Sequence, residues 1–167
     1  MRKILLFAMF ALFAMTTSTM KAQEQEMLLG VNLGLPVGDW SNGYGFGAQA
    51  DFQYLFSAGE GFQVGPMVAL SWYSSKSVTI LGHTVKGDDA MFLPLGGTAR
   101  YWIDQFYLGI DLGYGIGLAP SGNDGGFYFR PKAGYDFGPV NGVVSYSGVS
   151  LSGVTASSIN LGVEFSL

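Results

Sequence analysis

An all-β fold, an eight-stranded antiparallel up-and-down transmembrane barrel, follows from three features of the sequence. First, apolar residues alternate with small or polar ones in eight segments, and period two over such lengths marks strands. Second, only 12% of the 167 residues are charged and mean hydropathy is +0.30. Yet no apolar run reaches the roughly 18 residues of a membrane helix. A hydrophobic chain without a helical span is left with a closed barrel to satisfy its backbone in lipid. Third, the strand charges all fall on the small-residue parity and none on the apolar one.

Arg2 and Lys3 precede an apolar run over 4–15, and small or polar residues fill 16–22. This is the layout of a secretory signal peptide over 1–22, leaving a barrel domain over 23–167. The first strand spans about 27–35, with Leu29, Val31, Leu33 and Leu35 on one face; Pro36-Val37-Gly38-Asp39 ends it. The second, 44–56, alternates without a break: Tyr44, Phe46, Ala48, Ala50, Phe52, Tyr54 and Phe56 against Gly45, Gly47, Gln49, Asp51, Gln53 and Leu55. The third, 62–73, carries Phe62, Val64, Pro66, Val68, Leu70 and Trp72 on its apolar face. The connection over 74–90 is the longest; it is polar and holds the one histidine, His83.

Residues 91–118 form the clearest hairpin. Met91, Leu93, Leu95, Ala99, Tyr101 and Ile103 share a face before Asp104-Gln105; Phe106, Leu108, Ile110, Leu112, Tyr114, Ile116 and Leu118 share one after it. With Ile103 opposite Phe106, Arg100 faces Gly109 and Thr98 faces Asp111. Arg100 and Asp111 then become diagonal neighbours within side-chain reach. After a Gly/Asn/Asp loop over 120–126, the sixth strand (127–137) sets Phe127, Phe129, Ala133, Tyr135 and Phe137 against Tyr128, Arg130, Lys132 and Asp136. The seventh, 142–151, changes parity between Val144/Tyr146 and Val149/Leu151, which a bulge near Ser147-Gly148 would reconcile. The eighth, 158–167, alternates Ile159, Leu161, Val163, Phe165 and Leu167 with Asn160, Gly162, Glu164 and Ser166.

Parity alone does not say which face is inside, since a secreted lipocalin-like barrel has the same strand number with apolar residues inward. Volume decides: an eight-stranded barrel holds ordinary side chains and little more, so the crowded aromatic face must point out. The small-residue face then lines the lumen, with Asp51, Arg100, Asp111, Arg130, Lys132, Asp136 and Glu164 as a charge network. A mid-depth Arg or Lys facing lipid would cost about 2–4 kcal/mol. Tyr54, Phe56, Phe62, Tyr101, Phe106, Tyr135, Phe137 and Phe165 form one aromatic girdle, and Tyr44, Phe46, Trp72 and Phe127 the other. The longer connections, after the odd strands and including 74–90, 120–126 and 153–156, lie at the outer surface.

The segments Gly34-Leu35-Pro36-Val37-Gly38-Asp39, Gly45-Phe46-Gly47-Ala48-Gln49-Ala50-Asp51-Phe52 and Leu161-Gly162-Val163-Glu164-Phe165 resemble the small outer-membrane β-barrel family, OmpA/OmpX-like, over 27–167. The resemblance implies a place in the cell outer membrane among its lipids, and delivery by the barrel-assembly machinery. It implies no single activity, since members serve as anchors, adhesion proteins, narrow pores and lipid-modifying enzymes.

Chemistry motifs carry little beyond this. The Gly45–Ala50 stretch imitates a dinucleotide fingerprint, but continued alternation replaces the helix that motif needs. Asn123-Asp124-Gly125-Gly126 lacks a calcium-ligand series and reads as a turn. There are no cysteines, hence no disulfide and no thiolate metal site, and the formal charge of -4 gives no reason to expect nucleic acid. No cofactor or metal is expected. The function expected is a monomeric, non-enzymatic barrel acting structurally or through its outer loops on an extracellular ligand. The alternatives are a hydrolase or acyltransferase using His83 with Ser74, Ser75, Asp88 or Asp89, and a narrow channel.

Overall fold

The computed structural model describes residues 25–80 and 83–167. The signal peptide expected over 1–22 lies outside the described residues. In chain order these form β1 (Gln25–Val37), α1 (Trp40–Gly43), β2 (Tyr44–Gly59), β3 (Phe62–Ser75), β4 (Ser77–Ile80), β5 (His83–Lys86), β6 (Ala90–Ile103), β7 (Phe106–Ala119), β8 (Gly126–Asp136), β9 (Asn141–Ser150) and β10 (Thr155–Ser166). Eight strands close into a barrel in the order β1-β10-β9-β8-β7-β6-β3-β2, each antiparallel to its neighbours. β1 and β10 complete the closure, with Val31 opposite Val163.

The central hairpin has the register the alternation dictates: Ile103 faces Phe106, Arg100 faces Gly109 and Thr98 faces Asp111. Asp104 opens its two-residue turn at a φ of 55°, a left-handed conformation that Asp tolerates better than most residues. Three prolines leave a mark. Ladder pairing lapses beside Pro66 between β2 and β3, beside Pro94 between β3 and β6, and beside Pro131 between β8 and β9, with the register unchanged on either side. A strand residue's N–H serves one neighbour only, so each proline interrupts one ladder and leaves the other whole.

Three local expectations are corrected. The 74–90 connection is not all loop: β4 and β5 pair as a separate two-stranded hairpin, Ser77 opposite Lys86 and Ile80 opposite His83. Their arms of four residues each are too short for alternation to stand out from a polar connection. β9 has no bulge, for its register with β10 is unbroken from Asn141 to Ser150. Val144 and Tyr146 point out while Val143 and Val149 are buried, because the lumen has apolar zones that accept them. Tyr44 does not join the outer girdle. A register shift between Tyr44 and Phe46 turns it toward the barrel mouth, where it stacks on Trp40 at 4.2 Å.

The outer surface is apolar on every barrel strand, with Leu33, Phe52, Leu70, Leu95, Leu112, Phe127, Tyr146 and Leu161 all exposed. A water-facing surface carries apolar patches of a few hundred Å² at most, and this belt encircles the molecule. Its solvent is therefore lipid. Aromatic rings contact one another at the end with the short turns: Tyr54 with Phe56 at 4.9 Å, Phe106 with Tyr135 at 4.7 Å and Tyr135 with Phe137 at 4.8 Å. β1 starts and β10 ends here too, the Leu167 amide donating to the Met27 carbonyl at 2.9 Å. Leu112→Arg, which puts a cation on the belt, should cost about 2–4 kcal/mol in a urea titration in lipid vesicles, while Leu112→Ala costs clearly less. Equal effects would show that the position does not face hydrocarbon.

Candidate functional site

Alternation gives each barrel strand an inward face, and on six positions that face is ionised. Asp51 comes from β2, Arg100 from β6, Asp111 from β7, Arg130 and Lys132 from β8, and Glu164 from β10; all are 4% exposed or less. They form one chain of alternating sign. Arg130 Nη1 lies 2.7 Å from Asp51 Oδ1, and its Nε lies 2.6 Å from Asp111 Oδ2. Lys132 Nζ lies 2.9 Å from Asp111 Oδ1 and 3.6 Å from Glu164 Oε1. Arg100 Nη2 ends the series 3.3 Å from Glu164 Oε2. Three acids meet three bases, so the set is neutral.

Gln53 ties the ends of this chain together. Its Nε2 donates to Asp51 Oδ2 at 2.6 Å and to Glu164 Oε1 at 3.0 Å. Its Oε1 accepts from Lys132 Nζ at 2.8 Å, Arg100 Nη2 at 2.9 Å and Thr98 Oγ1 at 3.4 Å. An amide, donor at one atom and acceptor at the other, serves both signs. Two other groups complete the layer. Asn32 donates to Asp51 Oδ1 at 2.9 Å, and Tyr107 donates to Glu164 Oε2 at 2.8 Å. The Arg100 guanidinium sits 4.5 Å from the Tyr107 ring centre, a cation–π contact that faces its otherwise unpartnered Nε and Nη1. Glycines make the room. A Cβ on Gly30 would stand 2.7 Å from Asp51 Oδ2, and one on Gly134 would stand 2.1 Å from the Tyr107 ring.

Expected and observed partners differ in two places. Arg100 and Asp111 are not a pair; Arg100 reaches Glu164 and Gln53, and Asp111 takes Arg130, its direct neighbour in the β7–β8 register, and Lys132. Asp136 stands outside the network. It has the inward parity but is the last residue of β8, and its Oδ1 accepts from the Gly138 amide at 2.6 Å, capping the turn. Gln53, Tyr107 and Asn32 carry no charge. Only their inward parity beside Asp51 and Arg100 could have drawn attention to them.

β2 and β8 stand opposite each other across the closed barrel, as do β6 and β10. The Asp51–Arg130 and Arg100–Glu164 pairs therefore each cross the full lumen. Toward the loops a second polar layer follows: Ser71 donates to Gln49 at 3.0 Å, Gln49 donates to the Tyr128 hydroxyl at 3.3 Å, and Asn160 donates to Ser147 at 3.0 Å. From the level of Gln53 up to the mouth, Met67, Ala69, Tyr73, Ala90, Phe92, Tyr128, Val149 and Ala156 make an apolar cluster capped by Trp40, Tyr44 and Leu151. His83 lies in β5, in the separate two-stranded sheet and not in a barrel strand, and among the described residues no cluster of His, Asp or Glu could hold a metal ion.

Closed eight-strand topology, an apolar belt and a lumen crossed by ion pairs define a small transmembrane barrel of the outer-membrane type. The outer-membrane protein Ail of Yersinia pestis in a phospholipid nanodisc has a similar fold, with a TM-score of 0.57 and 14% identity over 86% of this chain and all of that one. A de novo designed transmembrane β-barrel matches with a TM-score of 0.55 and 12% identity over 89% of this chain and 100% of the design. Ail in complex with the heparin analogue sucrose octasulfate gives a TM-score of 0.53 and 12% identity over 88% of this chain and 100% of that one. At such identities the likeness is one of fold. No protein-family profile matches the sequence, and no curated protein matches it.

Removing one member of a buried ion pair costs about 3–5 kcal/mol, because it strands the other charge. Arg130→Ala and Asp111→Ala should each destabilise the barrel by this order in urea titrations, and the double change should cost clearly less than their sum. Strict additivity would mean that the two do not interact. Gln53→Leu keeps the volume and removes five hydrogen bonds; it should cost more than Asp136→Asn, which touches only the turn.

Proposed function

We propose that this chain is an integral protein of the cell outer membrane, a non-enzymatic structural barrel that meets partners through the surface at its loop end. The observation that carries the reading is the division of the molecule. Its outer wall is apolar on every strand, and its lumen is crossed by charged side chains that exclude water. What remains free to interact is the end where α1, the β4–β5 hairpin and the connections over 120–125 and 151–154 gather. In this reading residues 1–22 are the leader, the barrel-assembly machinery inserts the chain as a monomer, and the loop end faces outward.

The ion pairs that span the lumen favour a non-conducting barrel over a narrow channel. The six buried charges are paired with one another, which favours a structural role for them over catalysis. Ail binds a sulfated sugar analogue, but the loop end here carries Asp39, Asp88, Asp89 and Asp124 against Lys76 and Lys86, so its balance is acidic and a polyanion is a poor match for it.

Cell fractionation tests the location: the protein should enter the outer-membrane fraction and run as a heat-modifiable gel band. A soluble periplasmic product would overturn the reading. On intact cells, protease should cut within 74–90, which projects beyond the barrel; cleavage only after lysis would reverse the orientation. Planar bilayers should show no unitary steps, and steps would make the channel the better reading. An altered lipid profile on His83→Ala would restore the enzyme.

A further inference from the structure

At the centre of the loop end lies a bowl of about 340 Å³, within the roughly 300–1,000 Å³ typical of small-ligand sites. One wall is the aromatic pair Trp40 and Tyr44, stacked with 18° between their planes. Pro120 also lines it, and Ser121, Asp124 and Ser152 add polar side chains. Among the described residues these last three side chains are exposed and have no hydrogen-bond partner within the protein. The Trp40 indole N–H is buried and likewise lacks an acceptor.

The walls are set before any ligand arrives. Asn123 donates to the Ala119 carbonyl at 3.0 Å and accepts from the Gly125 amide at 3.1 Å. The Tyr114 hydroxyl donates to the Asp124 carbonyl at 3.0 Å, which holds the loop backbone there and leaves the carboxylate unused. The Leu151 amide closes the other loop on the Val154 carbonyl at 2.9 Å. Trp40 is anchored from below, 6.0 Å from the Tyr73 ring and 6.4 Å from Phe92, both buried in the apolar cluster.

We infer that this bowl binds a neutral hexopyranose unit of a glycan. A sugar ring offers what each wall lacks: an apolar C–H face for the aromatic and proline surfaces, and hydroxyls for Ser121, Ser152 and the Asp124 carboxylate. Aromatic bodies with a few placed polar groups are the usual make-up of such a site. A sulfated or uronic unit would meet Asp124, the one charged side chain among the lining residues, a like-charge repulsion that a neutral ring avoids. The inference rests on the proposed outward orientation of the loop end.

The test uses the mature chain in nanodiscs, titrated with methyl glycosides of glucose, galactose, mannose and N-acetylglucosamine, with sucrose octasulfate and choline as charged probes. The readout is the set of indole N–H resonances of Trp40, Trp72 and Trp102. At least one neutral glycoside should move the Trp40 signal saturably. Asp124→Ala, an exposed change that spares the fold, should weaken that binding about tenfold, as loss of a hydrogen bond to a charged group does. Trp40→Phe keeps the apolar anchor and should weaken it as well, followed on methyl resonances. Response to choline or sucrose octasulfate alone, no response to any probe, or neutral binding unchanged in both variants would each overturn the inference. Protease accessibility of 74–90 on intact cells is read in parallel: accessible loops without sugar binding defeat the glycan site alone, whereas protected loops defeat the orientation beneath it.

Discussion

The structure depends on a ring of charges that must balance. Ions taken from water into an interior this dry lose several kcal/mol each, which only close pairing with full hydrogen bonding offsets. Here the sequence of contacts runs Asp51, Arg130, Asp111, Lys132, Glu164, Arg100, acid and base in strict alternation, and Gln53 joins the last to the first. No two like charges are consecutive. Exclusion of Asp136 is part of the same balance, because a fourth carboxylate in the layer would have no base left to face.

That ring requires space which an eight-stranded barrel barely has. The space comes from residues with no side chain. Gly30 stands beside the Asp51 carboxylate, and Gly134 lies under the Tyr107 ring that carries Glu164 and Arg100. Glycine weakens a strand in isolation, and here the cost is offset by side chains from neighbouring strands covering the gap. The outside follows the opposite rule. Hydrocarbon demands apolar groups without demanding a unique fit, so large side chains stand on every strand. The prolines are tolerated for a related reason: closure removes the sheet edges, and each interrupted ladder is held in register on both sides of the gap.

This asymmetry explains what could be read from the sequence. Face assignment is local, so period two located all eight barrel strands, the inward parity of the six networked charges and the register of the β6–β7 hairpin. Partner choice is not local. Whether Arg100 meets Asp111 beside it or Glu164 across the lumen depends on the stagger of strands far apart in sequence, which no alternation encodes. Asp136 shows another limit, since parity says which way a residue points but not whether the lumen still extends to its level. Val149 and Tyr44 failed for a third reason. The rule that apolar faces outward lapses toward both ends of the lumen, near the turns at Leu28, Leu55 and Val143 and near the loops, where the barrel has its own apolar cluster. Gln53 stayed hidden because a neutral amide gives no charge signal, although it makes five of the bonds that hold the layer.

The two parts of the lumen divide the labour of the molecule. The ionic layer spans the barrel at its middle and ties β2 to β8 and β6 to β10, so strands on opposite walls cannot separate without stranding a charge. The aromatic cluster above it is held by packing rather than by ions, and it continues without a break from Tyr73 and Phe92 to Trp40 at the mouth. A surface built on such a base inherits its rigidity, and sites carried on rigid elements hold their geometry better than sites on free loops. A short helix of four residues would have no fixed place by itself. It has one here because its tryptophan packs on the barrel's own core.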